Sequence, residues 1–222
     1  MLKRESGQKV LAQGRENEIL ASVRERAGEY GDEAERLFSL LMLMSRQRQT
    51  LDGFIAQKRN LSLIGMPGSG KTTVGKILSR MLGLKFVDTD EEIEKEYSMS
   101  PQAFISEKGE EAFRRAESKI TEQVFADGNQ VISTGGGAIL NAENRVQIKQ
   151  NSFVIYIMRP LELLSTENRP VSQRTPPDRL YAERNPIYES LADLRIENTK
   201  SPEAAAKQIL TAIKYLLDKT AV

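Results

Sequence analysis

The sequence predicts an α/β fold, a parallel β-sheet covered by helices on both faces and preceded by a short helical extension. Three observations carry this. The glycine-rich stretch "GMPGSGKTT", Gly65 to Thr73, lies between the apolar run "LSLI" and the segment "VGKILSRML", whose apolar residues recur at helical spacing. From Leu61 onward, five β-rich runs ("LSLIG", "KFVDTD", "QVISTG", "SFVIYIM" and "LRIEN") alternate with helical stretches, the pattern of strands joined by crossover helices. The first fifty or so residues contain charged, helix-prone segments and no strand candidate.

Taken in order, "RENEILASVRERAGEYG" and "DEAERLFSLLMLMSRQRQTLDGFI" read as two helices separated by Gly31, with Asp32 as an N-cap. The run "LFSLLMLM" is apolar nearly all round and needs a partner to cover it. The join at Ala56 to Asn60 is short and polar, so residues 1–56 are expected to form the extension and residues 57–222 the α/β domain. The chain ends in "SPEAAAKQILTAIKYLLDK", where a capping serine and a proline open a helix. That helix sets Ala205, Ile209, Ile213 and Leu216 or Leu217 on one packing face.

Composition excludes several chemistries. With 222 residues, the chain is long enough to bury a substantial core. Thirty-two basic residues against thirty-one acidic ones argue against an extended nucleic-acid footprint, while leaving room for a local basic pocket. The chain has no cysteine and no histidine, which rules out disulfides and thiolate chemistry and argues against zinc sites and imidazole proton transfer. Any catalytic base is therefore Asp, Glu, Lys or Tyr. No apolar run approaches the roughly 20 residues needed to cross a bilayer, and "MLKRESGQ" lacks the apolar core of a signal peptide, so a cytoplasmic location is expected.

The glycine-rich stretch fits G-x-x-x-x-G-K-[ST] with Gly65, Gly70, Lys71 and Thr72 in the fixed places. Such a loop turns backbone N–H groups around a β-phosphate at a helix N-terminus. Nucleotide contacts are expected at Gly68, Ser69, Gly70, Lys71, Thr72 and Thr73, with Lys71 reaching the β/γ oxygens and the Thr72 hydroxyl ligating Mg²⁺. After the second strand candidate, "FVDTD" sets Asp88 and Asp90 on the same side of an extended backbone. There one carboxylate organises Mg²⁺ and its waters and the other receives a hydroxyl proton, or the pair are solvated turn acids or a cap for "EEIEKEY". In "GEEAFRRAESKI", Phe113, Ala116, Ile120 and Val124 mark the inward face, with Arg114 and Arg115 at its edges and Glu117 three residues after Arg114, in reach to orient it. The three glycines of "TGGGAIL" permit close approach of a ligand to the backbone, or form a flexible turn.

In order along the chain, "GMPGSGKTT", "DTD", "FRR", "GGG", "NRP" and "RNPIY" resemble the motif set of the shikimate kinases, from about Leu61 to the C-terminus. The resemblance implies a P-loop fold of the nucleoside monophosphate kinase type with a five-stranded parallel sheet. It also implies transfer of the γ-phosphoryl group of ATP to the 3-hydroxyl of shikimate. On that basis Asp90 holds the reacting hydroxyl and accepts or orients its proton, Asp88 supports Mg²⁺, and Arg114 and Arg184 grip the substrate carboxylate. Gly136 offers its N–H to a substrate hydroxyl, and Arg169 reaches the transferring phosphate from a lid. A guanidinium matches a carboxylate in bidentate geometry, and a mobile cation stabilises the phosphoryl group while excluding water. Related kinases for gluconate or a nucleoside monophosphate, and a non-enzymatic ligand sensor on the same fold, are the alternatives. The arginines of "FRR" and "RNPIY" favour a carboxylate-bearing acceptor, and the presence of Lys71, Thr72, Asp88 and Asp90 favours chemistry.

The chain departs from that family in its lid, where Val171 and Ser172 stand in place of leucines after R-P. Family members also commonly stack an arginine on adenine before the lid, whereas "LELLSTEN" has none, with Ser165 or a neighbour in its place. Modest discrimination between bases is the expectation. The first fifty residues resemble the later part of an all-helical chorismate mutase, with Lys3, Arg15, Ser45 and Gln49 at matching site positions. The long first helix of that family is absent, so a remnant hairpin that packs or dimerises is expected. The kinase domain is expected to be a monomer that binds shikimate and ATP, with neither nucleic acid nor membrane as partner and with association left to the N-terminal helices.

Overall fold

The structure, a computed structural model, describes residues 18–32, 34–35, 37–38, 60–164 and 176–220. The chain divides into two compact units, Met1–Asp52 and Gly53–Val222. In the first, residues 18–27 are α-helical and lead through a 3₁₀ turn, Gly28–Tyr30, into further helical residues. The expected break at Gly31 is not found there. Gly31 is right-handed, with φ −58° and ψ −41°, and the left-handed residue is Gly28. Gly31 is instead a packing glycine, because a Cβ on it would lie 2.8 Å from the Arg24 carbonyl oxygen. Asp32 does not open a helix; its carboxylate pairs with Arg24 at 2.7 Å. Lys3, Arg15, Ser45 and Gln49 lie outside the described residues, as does most of "LFSLLMLM", of which Leu37 and Phe38 are exposed.

The second unit is a five-stranded parallel sheet with β1 (Asn60–Ile64) at its centre and the order β2-β3-β1-β4-β5. The other strands are β2 (Lys85–Asp88), β3 (Gln130–Ser133), β4 (Ser152–Met158) and β5 (Leu194–Glu197). Every residue of β1 and β3 is buried, as expected of strands with helices over both faces. The polar side chains that this burial includes are satisfied. Ser62 shares a 2.7 Å hydrogen bond with Ser152, and Asn60 donates to the Asp127 and Asn151 carbonyls while accepting from the Gln130 amide.

The helices are α1 (Lys71–Leu82), α2 (Thr89–Tyr97), α3 (Pro101–Lys108), α4 (Glu110–Ala126), α5 (Ala142–Asn151), α6 (Pro177–Leu191) and α7 (Pro202–Thr220). Helix α1 closes on Gly83, whose left-handed backbone sends its N–H to the Ser79 carbonyl. Ser100 caps α3 ahead of a proline, and Ser201 accepts from the Ala204 amide at the start of α7. Ala205, Ile209 and Ile213 of α7 are buried and Leu216 is half-buried, on the face the sequence marked.

Two hydrophobic clusters of the described residues lie near the carboxyl ends of the strands and the helices that follow them. One, containing Ile64, Ile132, Phe125, Ile139, Tyr156 and Tyr188, fills the space between sheet and helices. The other, Ile93, Phe104, Phe113, Ala116 and Ile120, is a small core for α2, α3 and α4, with Phe104 edge-on to both Tyr97 and Phe113. This second cluster gives the three helices a packing centre of their own beside the carboxyl ends of β2 and β3.

Sheet register does the rest. Leu63 of β1 pairs with Ser133 of β3, and Ser133 pairs with Asp88 of β2. The three strands therefore end nearly level, and the segments that follow them emerge side by side. This is the crevice outside the carboxyl ends of the strands where open α/β sheets bind ligands.

Gly75 sets how closely α1 lies on the sheet, since a Cβ there would approach Phe86 Cε2 to 2.6 Å and Leu63 Cδ1 to 3.1 Å. Gly75→Ala gains about 1 kcal/mol in helix propensity but overpacks this contact, which typically costs about 1–3 kcal/mol. The variant is expected to be destabilised in urea unfolding, and the added substitution Phe86→Leu is expected to restore stability.

Candidate active site

The phosphate loop leaves β1 and ends at Gly70, the N-cap of α1, whose φ of 94° suits only glycine at low cost. Lys71 is buried, and its Nζ donates to the carbonyls of Gly65 at 2.9 Å and Met66 at 3.0 Å. The ammonium thus lies folded over the loop that carries it. Ser69 is fully buried, its carbonyl oxygen accepts from Asn198 Nδ2 at 2.8 Å, and its hydroxyl has no hydrogen-bond partner among the described residues. Gly68 has φ 88°, and Thr73 is exposed on the first turn of α1.

Asp88 and Asp90 do not share an extended strand. Asp88 is the last residue of β2 and the N-cap of α2, and Asp90 already belongs to the first turn of that helix. A capping carboxylate interrupts the two-residue alternation on which the expectation rested. The capping reading of Asp88 holds, and its two oxygens have different partners. Oδ1 accepts from the Asp90 amide at 3.0 Å, and Oδ2 accepts from the Thr72 hydroxyl at 2.8 Å. Ser133 Oγ lies 3.4 Å from the same hydroxyl, so three oxygen donors meet at the edge of the loop.

The glycine run follows β3 and is held by the Gly135 amide, which donates to Thr89 Oγ1 at 2.9 Å. None of the three glycines has room for a side chain. A Cβ on Gly135 would lie 2.7 Å from Asp90 Oδ1, one on Gly136 2.7 Å from Pro67 Cγ, and one on Gly137 2.5 Å from Arg114 Nη1. The groups that approach the run so closely are side chains of the protein itself.

Arg114 and Arg115 part company. Arg115 points to solvent and pairs with Glu111 at 2.5 Å, whereas Arg114 bonds Glu117 at 2.8 Å and Glu110 at 3.1 Å. Glu117 is only 1% exposed. Burial pushes its carboxyl above the usual range, against the opposing pull of Arg114 and Arg184. For Arg114, burial lowers the pKa but the two carboxylates outweigh it, and the net shift is upward. The two shifts pull the pair's protonation in opposite directions; we take the 2.8 Å contact as an ion pair, which burial makes costly to hold.

Arg184 and Tyr188 stand one helical turn apart on α6 and meet at one acceptor. Arg184 Nη1 donates to the Gly136 carbonyl at 3.1 Å and Tyr188 Oη donates to it at 2.5 Å. The Tyr188 ring stacks on Tyr156, whose hydroxyl donates to Asn185, and burial raises the pKa of both tyrosines. Arg184 is 3% exposed, and its Nε has no acceptor among the described residues.

One cavity of about 590 Å³ collects the predicted residues Lys71, Thr72, Asp88, Asp90, Arg114, Gly136 and Arg184 in its wall, together with Glu117. Arg169, Ser165, Val171 and Ser172 lie outside the described residues. Three participants were not singled out from sequence. Tyr188 stood inside the quoted "RNPIY" without a role, Thr89 inside "DTD", and Asn198 carried no local signal because its partner is 129 positions away.

A family model described as shikimate kinase matches residues 67–214. A shikimate kinase of Persephonella marina is 39% identical over 164 residues, covering 70% of this chain and 99% of its own length. One from Nitrosococcus oceani is 38% identical over 165 residues, covering 70% of this chain and 87% of its own length. Among solved structures, a shikimate kinase from Acinetobacter baumannii in complex with shikimate aligns with a TM-score of 0.67 at 35% identity, over 70% of this chain and 92% of that one. The shikimate kinase of Aquifex aeolicus aligns with a TM-score of 0.62 at 35% identity, over 70% and 96%.

The double duty of Asp88 separates capping from charge. Asp88→Ala removes the acceptor for the Asp90 amide and is expected to cost about 1 kcal/mol, whereas Asn caps nearly as well as Asp and should stay within about 0.5 kcal/mol. Urea unfolding of the two variants checks this.

Proposed function

The chain belongs to the shikimate kinase family, and we propose that it transfers the γ-phosphoryl group of ATP to the 3-hydroxyl of shikimate, giving shikimate 3-phosphate and ADP. The observation that carries the reading is Arg184, a buried guanidinium whose Nε has no acceptor among the described residues and which lines one cavity with Arg114, Lys71 and Thr72. A carboxylate-bearing acceptor satisfies that edge, and the phosphate loop supplies the donor beside it.

The site residues then divide the work. Arg114 and Arg184 hold the acceptor carboxylate, Arg114 kept in place by Glu117 and Arg184 by the Gly136 carbonyl. Asp90 receives the proton of the attacking hydroxyl as its oxygen bonds to the γ-phosphorus and the bond to the bridging β,γ-oxygen breaks, releasing ADP. Lys71 exchanges its two loop carbonyls for β/γ-phosphate oxygens when nucleotide enters. Arg169 is assigned to the transferring phosphate on resemblance alone. Thr72 and Asp88, with the Ser133 hydroxyl beside them, form a hard oxygen set that suits Mg²⁺. When bound, the ion neutralises charge on the β- and γ-phosphate oxygens. No described helix is long and apolar enough to cross a membrane, and a cytoplasmic, monomeric kinase domain completes the reading.

ADP release with Mg-ATP and a panel of shikimate, quinate, gluconate and nucleoside monophosphates tests it. Shikimate-dependent release is expected, with a loss of about 10³-fold in Lys71→Met, since phosphoryl-transfer cations contribute on that scale. Release only with gluconate or a nucleoside monophosphate would overturn the acceptor assignment. Arg114→Ala and Arg184→Ala are expected to raise the KM for shikimate far more than that for ATP, by about 2–5 kcal/mol for one partner of a desolvated charge pair. A change mainly in the ATP KM would remove them from the carboxylate site.

The segment 1–56 is read as a separable extension without mutase activity. Rearrangement of a dicarboxylate requires several cations around both carboxylates and the ether oxygen, and the helix that supplies part of that set is missing from the resemblance. Purified full chain is expected to leave chorismate unconverted, and deletion of residues 1–56 is expected to leave kinase turnover largely intact. Conversion of chorismate to prephenate would overturn the first expectation and an inactive but folded deletion variant the second.

A further inference from the structure

Several basic side chains of the second unit pair with carboxylates, among them Arg114 with Glu117, Arg115 with Glu111, Lys76 with Glu91 and Lys149 with Asp193. Arg159, directly after β4, is held differently. It is half-buried, and its Nε donates to the Leu163 carbonyl at 2.8 Å, which orients the plane of the guanidinium. Its Nη groups have no carboxylate or other acceptor among the described residues. A guanidinium has five N–H donors, and among the described residues only the Nε donor has an acceptor.

The unused edge lies beside the phosphate loop. A Cβ placed on Gly70 would be 4.0 Å from Arg159 Nη1 and 2.4 Å from Asn198 Nδ2. Asn198 welds this corner together: its side chain donates to the Ser69 carbonyl and its amide donates to the Met158 carbonyl, each at 2.8 Å. The end of β4, the end of β5 and the phosphate loop are thereby tied together, and Arg159 is the residue that follows β4. Asn198 is 2% exposed, and its Oδ1 has no hydrogen-bond partner among the described residues. A guanidinium with no carboxylate partner among the described residues and an incompletely satisfied amide thus sit at the N-cap of α1, where the helix amides add positive potential. An anion is the ligand that such a corner suits.

We propose that Arg159 binds the phosphate chain of the nucleotide, donating charge-assisted hydrogen bonds from its Nη edge on the β4 side of the loop. The proposal rests on the phosphoryl-transfer reading above and deepens its nucleotide site. Arg159 is not in the wall of the cavity that holds Asp90, Arg114 and Arg184. It therefore contacts phosphates that ADP retains, and its contribution is to binding that ground state and transition state share. The stretch "LELLSTEN" carries no arginine, but Arg159 stands two residues before it and brings a guanidinium to the loop by another route. In this role it reads charge and leaves the base unread.

The test uses the full chain as wild type and in three variants: Arg159→Ala, Arg159→Met, which keeps an apolar stem, and Arg159→Lys, which keeps charge. ADP and inorganic pyrophosphate binding are measured by calorimetry, and KM values for ATP, GTP and shikimate by ADP release. Loss of a hydrogen bond to a charged group corresponds to about 10-fold to 100-fold, so Ala and Met are expected to weaken ADP and pyrophosphate and raise the ATP KM on that scale, with the effect falling on KM for ATP rather than on kcat or on KM for shikimate. Lys is expected to recover most of the loss, and the ATP-to-GTP ratio is expected to stay constant. Unchanged ADP and pyrophosphate affinity in both Ala and Met overturns the proposal. So does a changed ATP-to-GTP ratio with unchanged pyrophosphate affinity, which would make Arg159 a base contact. Because ADP binding is read without any acceptor, absence of shikimate turnover in the wild type would count against the acceptor reading alone.

Discussion

The absence of side chains at Gly135, Gly136 and Gly137 is the constraint on which the site depends. Each missing Cβ makes room for a different group: the Asp90 carboxylate, the Pro67 ring of the phosphate loop, and the Arg114 guanidinium. Three parts of the chain that have nothing else in common, the start of α2, the loop after β1 and the second turn of α4, are thus drawn to one short turn after β3. A methyl group at any of the three would have to displace one of them, and protein interiors have little slack to absorb such a shift. The middle glycine does more. Its carbonyl takes both Arg184 and Tyr188, so α6 is anchored to the same turn.

Around that turn the charges are arranged at a cost. Glu117 is buried with Arg114 bonded to it and Arg184 close enough to act on its carboxyl, and desolvation works against keeping it ionised. A well-packed apolar side chain would often be as stable in such a place. What the ion pair supplies is orientation: a guanidinium already locked on one edge presents the remaining edge to a ligand with less entropy to lose. The nucleotide side is prepared differently. Lys71 bonds two carbonyls of its own loop, whereas Thr72 and Asp88 are joined to each other across 2.8 Å.

The two halves of the site also rest on different supports. The acceptor side is built on α2, α3 and α4, whose cluster of Ile93, Phe104, Phe113, Ala116 and Ile120 is distinct from the one beneath the sheet. The phosphate loop is tied to the ends of β4 and β5 through Asn198. The glycine turn and the Thr72–Asp88 hydrogen bond join the two.

The sequence by itself determined the five strands, the phosphate loop, the capped helices and most of the candidate residues that line the cavity, because each is written in a local pattern. Apolar runs, glycine spacing and i,i+3 neighbours depend on backbone geometry over a few residues. The same locality explains two misplacements. Gly31 looked like a helix stop, but the close passage of Arg24 gave it a packing role, and Asp88 and Asp90 looked like strand neighbours, but a helix begins between them. Only the tertiary structure decided that Asp88 and Ser133 lie level, that Arg114 and not Arg115 turns inward, that Tyr188 holds a glycine 52 positions away, and that Arg159 comes to rest beside Gly70. Those outcomes depend on strand order and on which remote helix packs over which loop. Partnerships of that kind are set when crossovers close and the core fills, and no window of neighbouring residues contains them.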